Sequence, residues 1–293
     1  MILVVGLSSA WQRTMFFDEF HLGEVNRAQR VLETASGKGV NVARVLTTLG
    51  AEARVLTVAG GRRDELLRRA LRSDGVSARI VPVRGETRLC QTLVSGGVVT
   101  EVVEESPALG PSEVKAVWRA FAGELRRAEL LVLSGTVPRG CGDDFYARLA
   151  RAARERGVPV VVDAQRAQLM GAVREGPMLV KINRAELAAA TGKGGVGALM
   201  RLGAERVVIS HGAKAVLAFD GRERWSVQPP RVEALNPIGS GDSMLAGIIV
   251  GLRNGRSLNE AVRFGVACGA ANALTETSGV VRMADVRRLL RQS

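Results

Sequence analysis

The chain has 293 residues, 46% of them hydrophobic and 24% charged, with a formal net charge of +12. That length and apolar content suffice for one large buried core, and the charge fraction excludes wholesale disorder. The positive excess is almost all arginine, scattered in pairs such as Arg62-Arg63, Arg126-Arg127 and Arg287-Arg288. With aromatics at only 4%, this argues against a nucleic-acid platform.

Residues 2–6 predict a buried strand. Residues 14–34 carry short apolar runs without a helical period, so two strands with a turn near Gly23 are expected. After Gly37-Lys38-Gly39, the apolar positions Val42, Val45, Leu46 and Leu49 predict an amphipathic helix ended by Gly50. A strand over 55–59 and a helix over 64–71 follow. Three β-like runs, 78–83, 88–95 and 98–104, come next, the last two joined by a Gly96-Gly97 hairpin signal. From residue 111 the pattern alternates: helix 111–125, strand 130–133, helix 143–156, strand 159–163, strand 178–182, helix 185–191 and strand 206–210. A hairpin, 215–219 with 224–227, precedes helices starting near Asp242, Ser257 and Met283. Unbroken apolar strands imply a sheet covered on both faces, hence a doubly wound, mostly parallel α/β fold. The two β-rich segments, 11–36 and 77–104, are expected to pair as a separate small sheet.

Cys90, Cys141 and Cys268 show no Cys-x-x-Cys spacing and read as buried thiols of a reducing compartment, so a cytoplasmic location is expected. With only His21 and His211, a multi-histidine metal site is excluded. No apolar run approaches a membrane span, and no signal peptide or membrane partner is expected.

Three segments carry chemistry. Gly239-Ser240-Gly241-Asp242 opens an apolar helix. Its glycines let consecutive amides converge on an anion at a helix N-terminus. A carboxylate beside such a cradle repels a bound phosphate. It fits a base that takes a proton from an attacking hydroxyl while the amides stabilise the migrating phosphoryl group. The plainer alternative is a helix cap after a glycine turn. Gly37-Lys38-Gly39-Val40-Asn41 opens another helix. It lacks the Ser or Thr that would make a P-loop, and is either a turn or a close approach to a ligand with Asn41 on sugar hydroxyls. Lys181-Ile182-Asn183-Arg184-Ala185-Glu186 places Asn183 and Glu186 on one face of a helix start. The pair suits a hydrated magnesium ion, or equally a capping box.

Together, in this order and spacing, the three segments resemble the signatures of the ribokinase-like (PfkB) carbohydrate kinases over essentially the whole chain. Leu22-Gly23-Glu24-Val25-Asn26-Arg27, Thr87-Arg88 and Leu133-Ser134-Gly135-Thr136-Val137-Pro138 are similar to the 1-phosphofructokinase and tagatose-6-phosphate kinase branch. The resemblance implies a single ribokinase-like domain over 1–293 whose β-sheet lid, segments 11–36 and 77–104, often also makes a dimer. It implies ATP and Mg²⁺ as cofactors and transfer to a sugar phosphate. Asp242 would be the base, with Gly239, Ser240 and Gly241 as the cradle. Gln12, Gly37, Lys38, Gly39, Asn41 and Thr136 would face the acceptor, and Arg27 and Arg88 its phosphate. Lys181, Asn183, Ser210, Gly212 and Asn272 would face the nucleotide, with Asn183 and Glu186 on magnesium. One departure stands out. Where the branch carries an Asp that holds sugar hydroxyls, this chain has the uncharged Gln12, which leaves the sugar unnamed.

Two other readings compete. A kinase for a free sugar or nucleoside is disfavoured by the arginine pair. A non-catalytic binding or regulatory protein on the same fold is disfavoured by the retained Asp242, glycines and Asn183–Glu186 pair.

Overall fold

The computed structural model describes residues 1–292. In chain order the strands are β1 (Ile2–Val5), β2 (Ala10–Phe17), β3 (Arg30–Ser36), β4 (Ala53–Ala59), β5 (Ser77–Pro82), β6 (Arg88–Ser95) and β7 (Val98–Val103). After them come β8 (Leu130–Ser134), β9 (Val160–Asp163), β10 (Leu179–Asn183), β11 (Val207–His211), β12 (Lys214–Phe219) and β13 (Arg224–Val227). The helices are α1 (Lys38–Thr48), α2 (Arg63–Ser73), α3 (Pro111–Leu125), α4 (Phe145–Arg154) and α5 (Arg166–Val173). They continue with α6 (Arg184–Thr191), α7 (Gly195–Leu202), α8 (Ser240–Arg253), α9 (Leu258–Ala273) and α10 (Met283–Leu290).

Nine strands form the main sheet in the order β13-β12-β11-β10-β9-β8-β1-β4-β5. From β11 to β5 neighbouring strands run parallel, and β12 and β13 close one edge antiparallel. Alternate side chains of each strand enter opposite layers. Ile2 and Val4 of β1 join the core built by α1, α2, α8, α9 and α10, whereas Leu3 and Val5 join the core built by α3 to α7. β1 sits mid-sheet: the chain builds outward to β4 and β5 on one side, then returns to add β8 to β11 on the other. The crevice at the carboxyl ends of β1 and β8 is therefore a topological switch point, where α/β sheets bind ligands.

The smaller sheet has the order β3-β2-β6-β7. It corrects the expected extent of the lid. Residues 77–82 do not belong to it but form β5, the parallel edge of the main sheet beside β4. The physical reason is the intervening α2, whose Leu67 and Leu71 bury against the sheet and return the chain parallel to β4. Residues 18–29, between β2 and β3, form no strand. Helices α5 and α7, both short, were not expected from the sequence.

Candidate active site

The carboxyl ends of the parallel strands deliver the polar residues one by one. Gly6 and Ser8 follow β1, Gly135 and Thr136 follow β8, Asp163 ends β9, Asn183 ends β10 and Ser210 lies near the end of β11. The smaller sheet contributes Gln12, Arg88, Glu101 and Val103, and the starts of α1 and α8 close the rest around a cavity of about 540 Å³. The approach of α1 is close: a β-carbon on Gly39 would lie 2.6 Å from the Gly6 Cα.

Helix α8 begins at Gly239, whose φ of 83° is left-handed and whose β-carbon would meet the Gly279 nitrogen at 2.6 Å. No side chain caps this end. The Ser240 amide donates to the Pro237 carbonyl at 3.1 Å, and the Gly241 and Asp242 amides remain free beside the cavity. Free first-turn amides attract anions. The capping alternative for Asp242 is thus not what the structure shows. Its Oδ2 instead accepts from Asn41 Nδ2 at 2.8 Å, across 201 residues of sequence.

Asp242 is 6% exposed, and burial pushes its carboxyl up to about 6. Lys38, Lys181 and the Asn41 hydrogen bond pull the other way, while Asp163 adds to the rise. The sequence reading did not single out Asp163. It is fully buried and accepts from Lys38 Nζ at 3.0 Å and Lys181 Nζ at 2.9 Å. Burial alone would raise Asp163, but the two ammoniums overcome it and hold the carboxyl below its ordinary range; Asp163 in turn is the main cause that raises Lys38. The available signal was a lone charge ending the apolar run Val160-Val161-Val162. A β-carbon on Gly241 would lie 2.9 Å from Lys181 Nζ, so an ammonium stands directly at the amide cradle.

Asn183 and Glu186 realise the capping box. Asn183 Oδ1 accepts from the Glu186 amide at 2.9 Å, and Glu186 Oε2 accepts from the Asn183 amide at 3.0 Å. Asn183 therefore positions Glu186, whose Oε1 faces Lys38 Nζ at 3.8 Å and carries no hydrogen bond. One free hard oxygen suits a cation held chiefly by phosphates and water. Among the described residues no three Asp, Glu, His or Cys side chains group as a metal site of their own.

In the smaller sheet Gln12 is buried and donates through Nε2 to Thr92 Oγ1 at 2.7 Å. Thr136 Oγ1 donates to Ser8 Oγ at 3.0 Å. Arg88 donates to the Ser8 carbonyl at 3.0 Å and the Glu104 carbonyl at 3.3 Å; its Nε is buried without a partner, and among the described residues no carboxylate forms an ion pair with it. Arg27 is not brought to the cavity. It lies exposed in segment 18–29.

A second cavity of about 580 Å³ shares Ser210, Pro237 and Gly241 with the first. Gly212, Val216, Val232, Met244, Val266 and Ala270 make it largely apolar, a wall suited to a nucleotide base. Asn272 does not line it. Its Oδ1 accepts from Ser243 Oγ at 3.1 Å and the Gly279 amide at 2.8 Å, and its Nδ2 donates to the Ile238 carbonyl at 2.8 Å. Fully spent, Asn272 braces the glycine turn from behind.

Comparison with known proteins agrees with this geometry. The profile of the pfkB family carbohydrate kinases matches residues 1–281. Phosphofructokinase-2 of Escherichia coli, in complex with substrates and products, is 27% identical, with 99% of this chain and 98% of that chain covered and a TM-score of 0.91. The tetrameric inhibited form of that enzyme, also 27% identical over the same shares, superposes with a TM-score of 0.86. A Thermotoga maritima protein described as a possible 1-phosphofructokinase is 22% identical, covered to 99% and 97%, with a TM-score of 0.87; at that identity it supports the fold.

Proposed function

This chain belongs to the pfkB family of carbohydrate kinases, and from that premise we propose that it moves the γ-phosphoryl group of ATP to a hydroxyl of a phosphorylated sugar. The observation that carries the reading is Asp242. A buried carboxylate with a raised pKa stands beside two free helix amides and the Lys181 ammonium. Ground-state phosphate binding has no use for that carboxylate; proton removal does. The acceptor hydroxyl gives its proton to Asp242 as its oxygen bonds to the γ-phosphorus, and the bond to the bridging oxygen of ADP breaks. The Gly241 and Asp242 amides and the lysine pair face the charge that develops. Magnesium, bound with the nucleotide, would neutralise phosphate charge, with the free Glu186 oxygen as the protein group that would hold it.

Arg88 supports a phosphorylated acceptor, because a buried Nε without a partner and a guanidinium without an ion pair favour an anion in the cavity. The smaller sheet would serve as lid, and a dimer through it fits the exposed Leu22, Val25, Val98 and Val102 around that sheet. The test is an acceptor screen with ATP and magnesium. Phosphorylated ketoses should be turned over at least tenfold more efficiently than the free sugars or nucleosides. Preference for a free sugar would refute the phosphate assignment, and absence of any transfer would refute the kinase.

A further inference from the structure

A sugar presents hydroxyl donors, so the acceptor end of the cavity must offer free hydrogen-bond acceptors. Most of those present are already committed. The carboxylates lining the cavity are Glu101, Glu186 and Asp242. Asp242 stands at the transfer point, bonded to Asn41. Glu186 caps α6 and faces Lys38. Asp163, behind them, is locked between two ammoniums. Gln12 is neutral and gives its amide to Thr92, while the adjoining wall is Cys90 and Val103.

Among the carboxylates that line the cavity, Glu101 is the one with neither oxygen engaged. The β2–β6–β7 register sets Gln12 beside Cys90 and Cys90 beside Val103, and in the next row Thr14 beside Thr92 and Thr92 beside Glu101. Positions two apart share a face, so Glu101 faces the cavity one row from Gln12, reaching it past the Thr92 that Gln12 holds. Among the described residues its carboxylate has no hydrogen-bond or ion-pair partner within reach, Arg88 included. The side chain is exposed at the cavity mouth; partial desolvation raises its carboxyl and the nearby Arg88 opposes that rise. Glu101 thus stands at the open rim of the cavity, where its carboxylate can exchange water for the hydroxyl donors of a ligand.

We propose that Glu101 determines acceptor specificity by receiving hydrogen bonds from the sugar hydroxyls while Arg88 takes the phosphate. This rests on the kinase reading above and adds the recognition of the rest of the molecule. With cation and carboxylate side by side, the site selects a polyol monophosphate. An ester carrying a second phosphate at the Glu101 end meets like charge, and a deoxy analogue there leaves the carboxylate unpaired.

Steady-state kinetics with fructose 6-phosphate and fructose 1-phosphate as probes test this in wild type, Glu101→Gln, Glu101→Ala and the double variant Gln12→Asp/Glu101→Gln. Glu101→Gln and Glu101→Ala should raise the KM of the preferred probe roughly tenfold or more. The ATP KM should stay within about twofold and the melting temperature within a few degrees. Moving the carboxylate one row, in the double variant, should recover part of the loss. An acceptor KM within twofold of wild type in both single variants overturns the assignment while leaving the kinase intact. Parallel losses in acceptor KM, ATP KM and melting temperature assign Glu101 a structural role and also overturn it. Absence of phosphoryl transfer by wild type overturns this inference together with the function beneath it.

Discussion

Replacing Asp242 with Asn should cripple the protein and stabilise it at once. The carboxyl is shifted from 3.8 to about 6 by burial, net of its lysine neighbours and Asn41. A folded-state pKa above the unfolded one means the protonated form favours folding. Stability tied to this group is therefore full below the unfolded value of 3.8 and is lost as pH rises through about 6. At pH 7 the charged Asp242 opposes folding by roughly 3 kcal/mol. Asparagine removes that charge, can turn its carbonyl oxygen toward Asn41, and leaves the helix start uncrowded. For a chain of this length the melting temperature should rise by about 5 °C. Without a base, kcat should fall by roughly 100-fold or more, with the ATP KM little changed. Calorimetry and a coupled ADP-release assay on the same preparation read both quantities. The wild-type rate should also fall about tenfold per unit as pH drops below about 6. Near-wild-type turnover in the variant would refute the role as base, and a lowered melting temperature would refute the electrostatic reasoning.

The Lys38–Asp163–Lys181 cluster gives the opposite sign. Asp163→Asn should cost about 3 kcal/mol in urea unfolding at pH 7, because the buried Lys181 ammonium and the half-buried Lys38 lose their shared partner. Asp163 is held below its ordinary value, so its stabilisation is present at neutral pH and should be lost on acidification below the ordinary carboxylate range; stability in Asp163→Asn should respond less to that acidification. Arg88→Ala should raise the KM for a phosphorylated sugar by roughly 30-fold, near 2 kcal/mol, and leave turnover of any free sugar unchanged. EDTA should abolish phosphoryl transfer and added magnesium restore it; full activity in EDTA would remove Glu186 from the reaction.

The alternating apolar strands and helix starts were legible because both signals are local. Periodicity located the main sheet, and glycine-led helix starts located Asp242 and Asn41 without a contact map. Membership of sheets was less legible. Ser77–Pro82 has the same β-like composition as the smaller sheet, and only the packing of Leu67 and Leu71 decides its place. Asn272 and Asp163 show the limit for single residues. Asn272, which the resemblance places at the nucleotide, is saturated by five hydrogen-bonding neighbours; Asp163, in sequence only the end of the strand 159–163, carries two ammoniums. A polar residue's role depends on which partners the fold has already given it. Arg27 illustrates the same point from the surface, since charge type alone does not say where a segment without strand structure goes.

The Asn41–Asp242 hydrogen bond joins segments 201 residues apart; Arg88, Thr136, Lys181 and Glu186 lie between them, while Gln12 and Lys38 precede both. Closing so long a loop is slow and is rewarded only at the end. During synthesis Gln12, Lys38, Arg88 and Lys181 leave the ribosome well before Asp242. A chain that lacks α8 therefore lacks the amide cradle and the carboxylate together. The spread of the site along the sequence ties its assembly to that of the fold: the cavity is complete only once α8 has packed against α1.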